Sequence, residues 1–370
     1  MNPMKAKIDR LRVTRTQHRF LPDPQRVILR PYLPGEEAFA EGRSRVELVL
    51  DRILSLPEGE VPAAWETIRA GFSARHRDLE SVIADHFRLV SRHVECKARL
   101  SPERERLVGA YFTHEYSIEG ASLSNPSLVP AQDQSGLSGG ALRFIMSLRA
   151  IGEGHLSCIE FRSGVIESDG KIVFDPTTPF VSAGRRALNP SYDKNVFTLK
   201  LEDLGTQNEI SQAVLDPLPE RFSFEELLNA VASVQSPRFA GAMRRETLER
   251  IHWLATSNYE VTFSADAPIS ERVIFPASPT ESQGMEDARF VRFVEDDGSA
   301  RYYATYTAYD GYQILPQLIE TVDFVKFRVL TLNGARAQSK GMALFPRRID
   351  GRCAMLSRHD NESIHFGTSD

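Results

Sequence analysis

An acidic pair in a turn that begins with glycine is the feature of this sequence best suited to chemistry. Glu286 and Asp287 follow Gly284, and an apolar run typical of a β-strand comes next. This arrangement can place one carboxylate at a strand end that faces a cleft. An aspartate beside an arginine, here Arg289, is equally common as a structural ion pair, which contributes little when exposed. From spacing alone, both interpretations of Asp287 remain open.

Other candidate groups for chemistry are few. His155 lies between glycine-rich and apolar residues and could be a ligand, a base or an ordinary loop residue. The sequence has no second histidine at metal-ligand spacing, no HExxH motif and no Cys/His cluster. The stretch 152–154 lacks the Gly-Lys-Ser/Thr ending of a phosphate-binding loop. We therefore expect neither a metal site nor an organic cofactor.

The first 116 residues are predicted to be mainly helical after a short extended lead at 26–30. Apolar residues recur at helical spacing over 43–55 and again over 79–90. Ser101 before a proline is typical of a helix start. The region 1–116 shows no catalytic spacing, so we expect it to be a helical platform or an oligomerisation element.

The chain from 117 to 370 is predicted to be rich in short β-strands. Asp-Gly dipeptides at 169–170 and 350–351 indicate tight turns between them. Repeated antiparallel meanders of this kind are typical of a propeller, a sandwich or a barrel. Strands are expected at 143–148, 156–161, 172–174, 290–294 and 302–306.

A helical insertion is expected within this β-rich region, at about 220–257. Ser223 and Glu226 match a capping box, and an apolar face follows them. A second helix is expected over 240–254. Strand signals resume from Val261, so the helices are interpreted as an insertion rather than a separate domain.

The composition excludes several classes of protein. The 370 residues carry a formal net charge of -5, which argues against broad nucleic-acid binding. No run approaches the roughly 20 apolar residues that span a bilayer. The basic N-terminus lacks the apolar core of a secretory signal, and the three widely spaced cysteines favour a reducing compartment. We expect a cytoplasmic, soluble protein that binds neither nucleic acid nor membrane.

Four stretches together resemble glycoside hydrolase family 130, which contains β-mannoside phosphorylases and some hydrolases. The acidic pair and the strands after it resemble the family signature V-E-D-P-R … Y-Y-x-T-Y-T-A-Y-D-G, with Ala288 in place of the proline. The other stretches resemble the family's N-P entry into the first blade, its Y-R-A-x-G-E strand and its K-x-x-A-L-F-P run. In chain order the matching stretches are 124–127, 147–153, 285–289 with 303–311, and 340–358.

The resemblance implies an all-β fold, a five-bladed β-propeller over 117–370, with the N-terminal helical region and the helical insertion added to it. The β-rich part is too short for five complete blades. We therefore expect either an incomplete propeller or a C-terminally truncated chain.

The resemblance also implies the chemistry. Asp287 corresponds to the family's single catalytic acid, which would carry a proton and relay it through a hydroxyl of the bound mannose. A phosphorylase needs no second carboxylate to activate water, because phosphate is already an anion. It needs cations instead, and Arg149, Lys340 and Arg358 are the expected phosphate ligands. Arginine and lysine are more often solvated surface charges, so that alternative stays open for each of them.

The expected reaction is inverting phosphorolysis of a β-linked mannoside or mannooligosaccharide to mannose 1-phosphate, with inorganic phosphate as co-substrate. The alternatives are hydrolysis of β-mannosides and a non-catalytic propeller that binds glycans. A homo-oligomer through the helical region is also expected. The residues expected to contact the sugar are Asn125, Glu153, Glu286, Tyr309 and Asp310.

Overall fold

The computed structural model gives the fold of most of the chain. The residues it describes are 15–35, 38–40, 43–94, 100–234, 241–312, 314–334, 337, 340–358, 360 and 362–369. In this part of the chain no helix combines the length and the apolar character needed to cross a membrane.

The helices fall into two groups along the chain, one before the main strands and one inside them. They are α1 (Arg45–Leu54), α2 (Val61–Phe72), α3 (Leu79–Val90), α4 (Pro102–Tyr111), α5 (Lys194–Asp203), α6 (Glu209–Leu215), α7 (Phe224–Ser233) and α8 (Ala242–Thr256).

The strands are mostly long in the site region and short elsewhere. The first ten are β1 (Val27–Pro31), β2 (Ala38–Ala40), β3 (Arg43–Ser44), β4 (Thr113–Ser117), β5 (Ser122–Pro130), β6 (Leu142–Ile151), β7 (Ser157–Ile166), β8 (Ile172–Phe174), β9 (Arg185–Leu188) and β10 (Tyr192–Asp193). The others are β11 (Arg221–Phe222), β12 (Tyr259–Thr262), β13 (Val273–Ile274), β14 (Gly284–Val294), β15 (Ala300–Tyr309), β16 (Ile314–Thr321), β17 (Lys326–Thr331), β18 (Ala343–Leu344), β19 (Cys353–Ser357) and β20 (His365–Ser369).

The N-terminal helices α1 to α4 pack around a shared apolar core, and β1 pairs with β4 next to them. The expected helix over 79–90 is α3, and Ser101 caps α4 by accepting a hydrogen bond from the Arg104 amide. Helix α2 was not expected from the sequence. Its first residue follows Glu60, whose side chain makes no capping hydrogen bond, so the N-cap signal is missing although Pro62 lies in the first turn.

The largest sheet has eleven strands and consists mainly of two antiparallel meanders. One contains β5 to β8, and the other contains β14 to β17. Strands β18, β19 and β20 form a separate sheet. Within the described ranges the pairing closes into neither a barrel nor a ring of blades. The fold is thus mostly β-sheet with added helices.

The two meanders are joined through Gly284, the first residue of β14, which pairs in parallel with Ser157 of β7. Gly284 has φ +121°, and a Cβ there would lie 2.5 Å from the Ser157 hydroxyl oxygen. A side chain at 284 would therefore push the meanders apart, and only glycine fits this position without strain.

The helical insertion begins earlier than the sequence indicated. The capping box of Ser223 and Glu226 is present at α7, but α5 and α6 precede it and pack with α7 and α8 in one apolar core. Helix α5 was missed because Lys200, a residue expected on the solvent side, is buried. Burial lowers the pKa of Lys200, and its Nζ donates to the carbonyl of Leu332.

A buried cluster of charges ties the N-terminal lead to the first meander. Arg26 and Arg162 lie against Glu119 and Glu160, and each side chain is at most 7% exposed. Burial raises the pKa of Glu160 to about 8, and its hydrogen bond with Glu119 acts in the same direction. Burial opposes ionisation of Glu119 as well, but that hydrogen bond and the Arg26 charge lower its pKa. Glu160 therefore keeps a proton at neutral pH.

This proton makes stability depend on pH. The free energy of unfolding should fall as pH rises from about 4.3 to about 8, because native Glu160 binds a proton that the unfolded chain releases. Glu160→Gln keeps a neutral side chain and removes the titration. We expect its slope over this window to be weaker by up to about 1.4 kcal/mol per pH unit. Urea unfolding at several pH values measures it. Equal slopes for wild type and variant would contradict the prediction. Glu167→Gln, in a partly exposed pair with Lys171, is the control.

Candidate active site

The site begins at a β-bulge in β14. The pairing of β14 with β15 shifts between Glu286 and Arg289, so Asp287 and Ala288 together lie opposite Tyr306 and form the bulge. Asp287 has φ +56°, in the left-handed region that aspartate tolerates better than most residues. Bulges re-aim side chains and are common beside active sites. Here the bulge leaves the Asp287 side chain 26% exposed, while Met285 and Ala288, on either side of the acidic pair, are buried.

A second bulge lies next to the first. The pairing of β5 with β6 shifts between Ser124 and Ser127, and Asn125 in this gap has φ +50°. The Phe290 amide of β14 donates to the Ser127 hydroxyl oxygen at 2.9 Å. The exposed Asn125 and the acidic pair are thereby held on neighbouring strands, although 160 residues of chain separate them.

Arg149 reaches from β6 to both carboxylates of the acidic pair. Its Nη2 lies 2.6 Å from Glu286 Oε1, and its Nη1 lies 3.5 Å from Asp287 Oδ1. All three side chains are between 20% and 26% exposed, so solvent screens the pairs only in part. The guanidinium therefore faces both carboxylates and donates a hydrogen bond to Glu286.

Lys340 and Asp287 line the same narrow cleft, which is too tight in this structure to admit a water-sized sphere. Arg358 lies beside the next residue along the chain, since a Cβ on Gly341 would be 3.1 Å from Arg358 Nε. The structure therefore brings Arg149 and Lys340 to Asp287 and places Arg358 next to the segment that carries Lys340. The other residues around the cleft are Thr305, Tyr306, Thr307, Pro316, Gly341 and Met342.

The remaining sugar-contact candidates lie at the turns at this end of the sheet. Glu153 is exposed in the turn between β6 and β7, where its Oε1 accepts from the Ser117 amide at 3.5 Å. The Tyr309 hydroxyl donates to the Gly311 carbonyl at 3.0 Å. Asp310 Oδ1 accepts from the amide two residues later at 2.8 Å. Tyr309 and Asp310 thus stabilise the turn after β15 through their own polar atoms.

A buried carboxylate below the cleft was not expected from the sequence. Glu281 is fully buried and accepts hydrogen bonds from the Tyr259 hydroxyl, the Tyr306 hydroxyl and the amides of Ala277 and Ser278. Burial and the nearby Glu281 charge raise the pKa of both tyrosines far above its usual range. Tyr306 is therefore a core residue. The Ser278-x-x-Glu281 capping box was a readable signal for part of this network.

In the described ranges, no group of three or more His, Cys, Asp or Glu side chains is arranged to hold a metal ion.

The comparisons with known proteins found structural similarity only. No protein-family model matches the chain, and no curated protein matches it. The solved structures similar to it include GH130 mannoside phosphorylases. This chain spans about half the length of most of them.

Three of these structures illustrate the level of similarity. One belongs to the GH130 family of mannoside phosphorylases, among the glycoside hydrolases of that family that target β-1,2-mannosidic linkages in Candida mannan. It is 12% identical with a TM-score of 0.29, and the match covers 69% of this chain and 48% of that one. The β-1,2-mannobiose phosphorylase from Listeria innocua, in complex with β-1,2-mannobiose, has 14% identity, TM-score 0.26, and coverage of 68% and 60%. A glycosyl hydrolase from Bacteroides ovatus has 11% identity, TM-score 0.31, and coverage of 70% and 49%. Similarity at this level does not assign a reaction to this chain.

Proposed function

We propose that this chain is a carbohydrate-active enzyme, a glycosyltransferase-type phosphorylase that cleaves β-mannosides with inversion and releases mannose 1-phosphate. The observation that supports this most is the arrangement at Asp287. Its carboxylate is partly exposed at a bulge, lies beside Arg149, and lines the same cleft as Lys340. One acid beside several cations suits a reaction in which an anion is the nucleophile.

The proposed reaction needs one proton and one nucleophile. A phosphate oxygen attacks the anomeric carbon of the mannose, and the bond from that carbon to the leaving oxygen breaks. Asp287 supplies the proton that the leaving oxygen takes up, relayed through a hydroxyl of the same mannose. Arg149, Lys340 and Arg358 hold the phosphate and offset its charge. Asn125, Glu153, Glu286, Tyr309 and Asp310 contact sugar hydroxyls.

The proposal also includes the arrangement of the sheets and helices. We propose that β5 to β8, β14 to β17 and β18 to β20 are blades of an incomplete five-bladed propeller. The region 1–116 would then be a helical platform and the surface for a homo-oligomer. We propose a cytoplasmic location, where phosphate is available as co-substrate.

Incubation with β-mannosides in the presence and absence of phosphate tests this function. We expect mannose 1-phosphate to form only when phosphate is present. Release of free mannose at equal rates with and without phosphate would show that the reaction is hydrolysis and not phosphorolysis. Binding of mannooligosaccharides without turnover in either condition would indicate a non-catalytic glycan-binding protein.

Arg358→Ala should raise the KM for phosphate much more than the KM for the mannoside. A charge-assisted hydrogen bond contributes about 1.5–3 kcal/mol, so we expect a rise of about 10- to 100-fold. Any hydrolysis should change less, because water needs no cationic ligand. Arg347→Ala is the matched control, since that exposed arginine makes the same charge change nearby. Equal KM values for phosphate in both variants would exclude Arg358 from the phosphate site.

A further inference from the structure

The segment 340–342 carries Lys340 and lies outside the strands. It precedes β18, and its central residue Gly341 has φ +83°, a conformation that favours glycine. Such a segment has no ladder of strand hydrogen bonds to fix it. The position of Lys340 over the cleft of Asp287 therefore depends on side chains that hold the backbone of the segment.

Two side chains from the strand pair that forms the bulge hold this backbone. The Thr305 hydroxyl donates to the Met342 carbonyl at 2.7 Å, and Thr305 is only 3% exposed. Arg289 Nη1 donates to the Gly341 carbonyl at 3.3 Å. Thr305 and Arg289 face each other across β15 and β14, immediately after the bulge that contains Asp287. One cross-strand pair therefore holds two consecutive carbonyls of the segment.

The Thr305 bond is the better defined of the two. It is shorter and buried, whereas the Arg289 bond is exposed and at the long end of the range. Thr305 can also be changed to valine, which has nearly the same shape and lacks only the hydroxyl. The contact is thus open to a single-atom test.

We infer that Thr305 is a positioning residue: its hydroxyl fixes the segment 340–342 against β15 and so sets Lys340 at the correct distance from Asp287. The inference rests on the proposed function in assigning Lys340 to phosphate. Thr305 itself acts through the backbone of Met342 and need not touch phosphate. Because a misplacement of about 1 Å can lower a rate 100-fold, this contact has a measurable consequence.

The kinetic test compares Thr305→Val with Thr305→Ser. We expect Thr305→Val to raise the KM for phosphate about 10-fold or more, with a much smaller change in the KM for the mannoside. Thr305→Ser keeps the hydroxyl and should restore most of the phosphate affinity. Thr247→Val is the control. Thr247 is buried like Thr305, and the substitution removes the hydrogen bond that its hydroxyl accepts from Asn208 in the helical insertion. Equal effects of the two valine variants on phosphate KM would overturn the inference.

A second test needs no activity. Trypsin cleaves after lysine, so the rate of cleavage between Lys340 and Gly341, followed by mass spectrometry, reports how firmly the segment is held. We expect Thr305→Val to be cleaved there about 10-fold faster, while Thr305→Ser and Thr247→Val are cleaved at the wild-type rate. Unchanged cleavage in Thr305→Val would overturn the inference.

The two tests separate failure of the inference from failure of the proposed function. If the wild type shows no phosphorolysis, the function is wrong, and faster cleavage of Thr305→Val still shows that Thr305 holds the segment. If the wild type is active and Thr305→Val keeps either its phosphate KM or its cleavage rate, the positioning role is wrong. Should Thr305→Val not fold, Thr305→Ala gives the same two measurements.

Discussion

Replacement of Asp287 by asparagine should lower kcat for a natural β-mannoside by about 100- to 10,000-fold, the usual contribution of a general acid. Asparagine removes the proton and keeps the shape. It also tolerates the left-handed φ of +56° at this position, so the bulge should persist. The carboxamide oxygen can still face Arg149, whose Nη1 lies 3.5 Å from Asp287 Oδ1. Steady-state kinetics at saturating phosphate measures the loss, and an unchanged melting temperature shows that the fold is intact.

A substrate series distinguishes an acid from a structural ion pair. An aryl mannoside with a very acidic phenol needs little protonation of its leaving oxygen. We therefore expect Asp287→Asn to lose much less activity on that substrate than on a mannooligosaccharide. Equal losses on both substrates, or a loss below 10-fold on the natural one, would make Asp287 a structural partner of Arg149. Glu286→Gln is the control, because it changes the neighbouring carboxylate on the same guanidinium.

Local patterns in the sequence predicted several elements of the fold. Helix α3, strand β8 and the capping box at Ser223 occur where the spacing indicates them. These features depend on residues within a few positions of one another. The same holds for the turn that begins at Gly284, although the sequence does not reveal that its missing Cβ allows Ser157 to approach.

Contacts between distant residues could not be predicted in this way. Arg149 and Glu286 are 137 positions apart, and their contact depends on how the two meanders lie together. The bulges are equally hidden, because an extra residue in a strand has no sequence signature of its own. Helix α5 was missed since its buried lysine breaks the apolar pattern. The sequence therefore indicates which residue types the site contains, whereas the contacts between them depend on the fold.

The buried charge cluster gives the largest expected effect on stability. Arg26 lies 2.5 Å from Glu119 and 3.3 Å from Glu160, and its guanidinium also donates to the carbonyls of Thr178 and Ser270. Arg26→Met keeps a long unbranched side chain and removes the charge. The two carboxyl groups would then share one remaining cation, Arg162, and two buried carbonyls would lose their donor.

We expect Arg26→Met to lower the free energy of unfolding by about 3–5 kcal/mol, the usual cost of breaking a buried ion pair by removing one partner. Urea unfolding at pH 7 measures it. Arg26→Lys keeps a cation beside Glu119 and should lose less than Arg26→Met, because only part of the hydrogen bonding is removed. Arg69→Ala, in an exposed pair with Glu66, should leave the midpoint unchanged. If Arg26→Met unfolds at the wild-type midpoint, the cluster does not hold the N-terminal lead on the sheet.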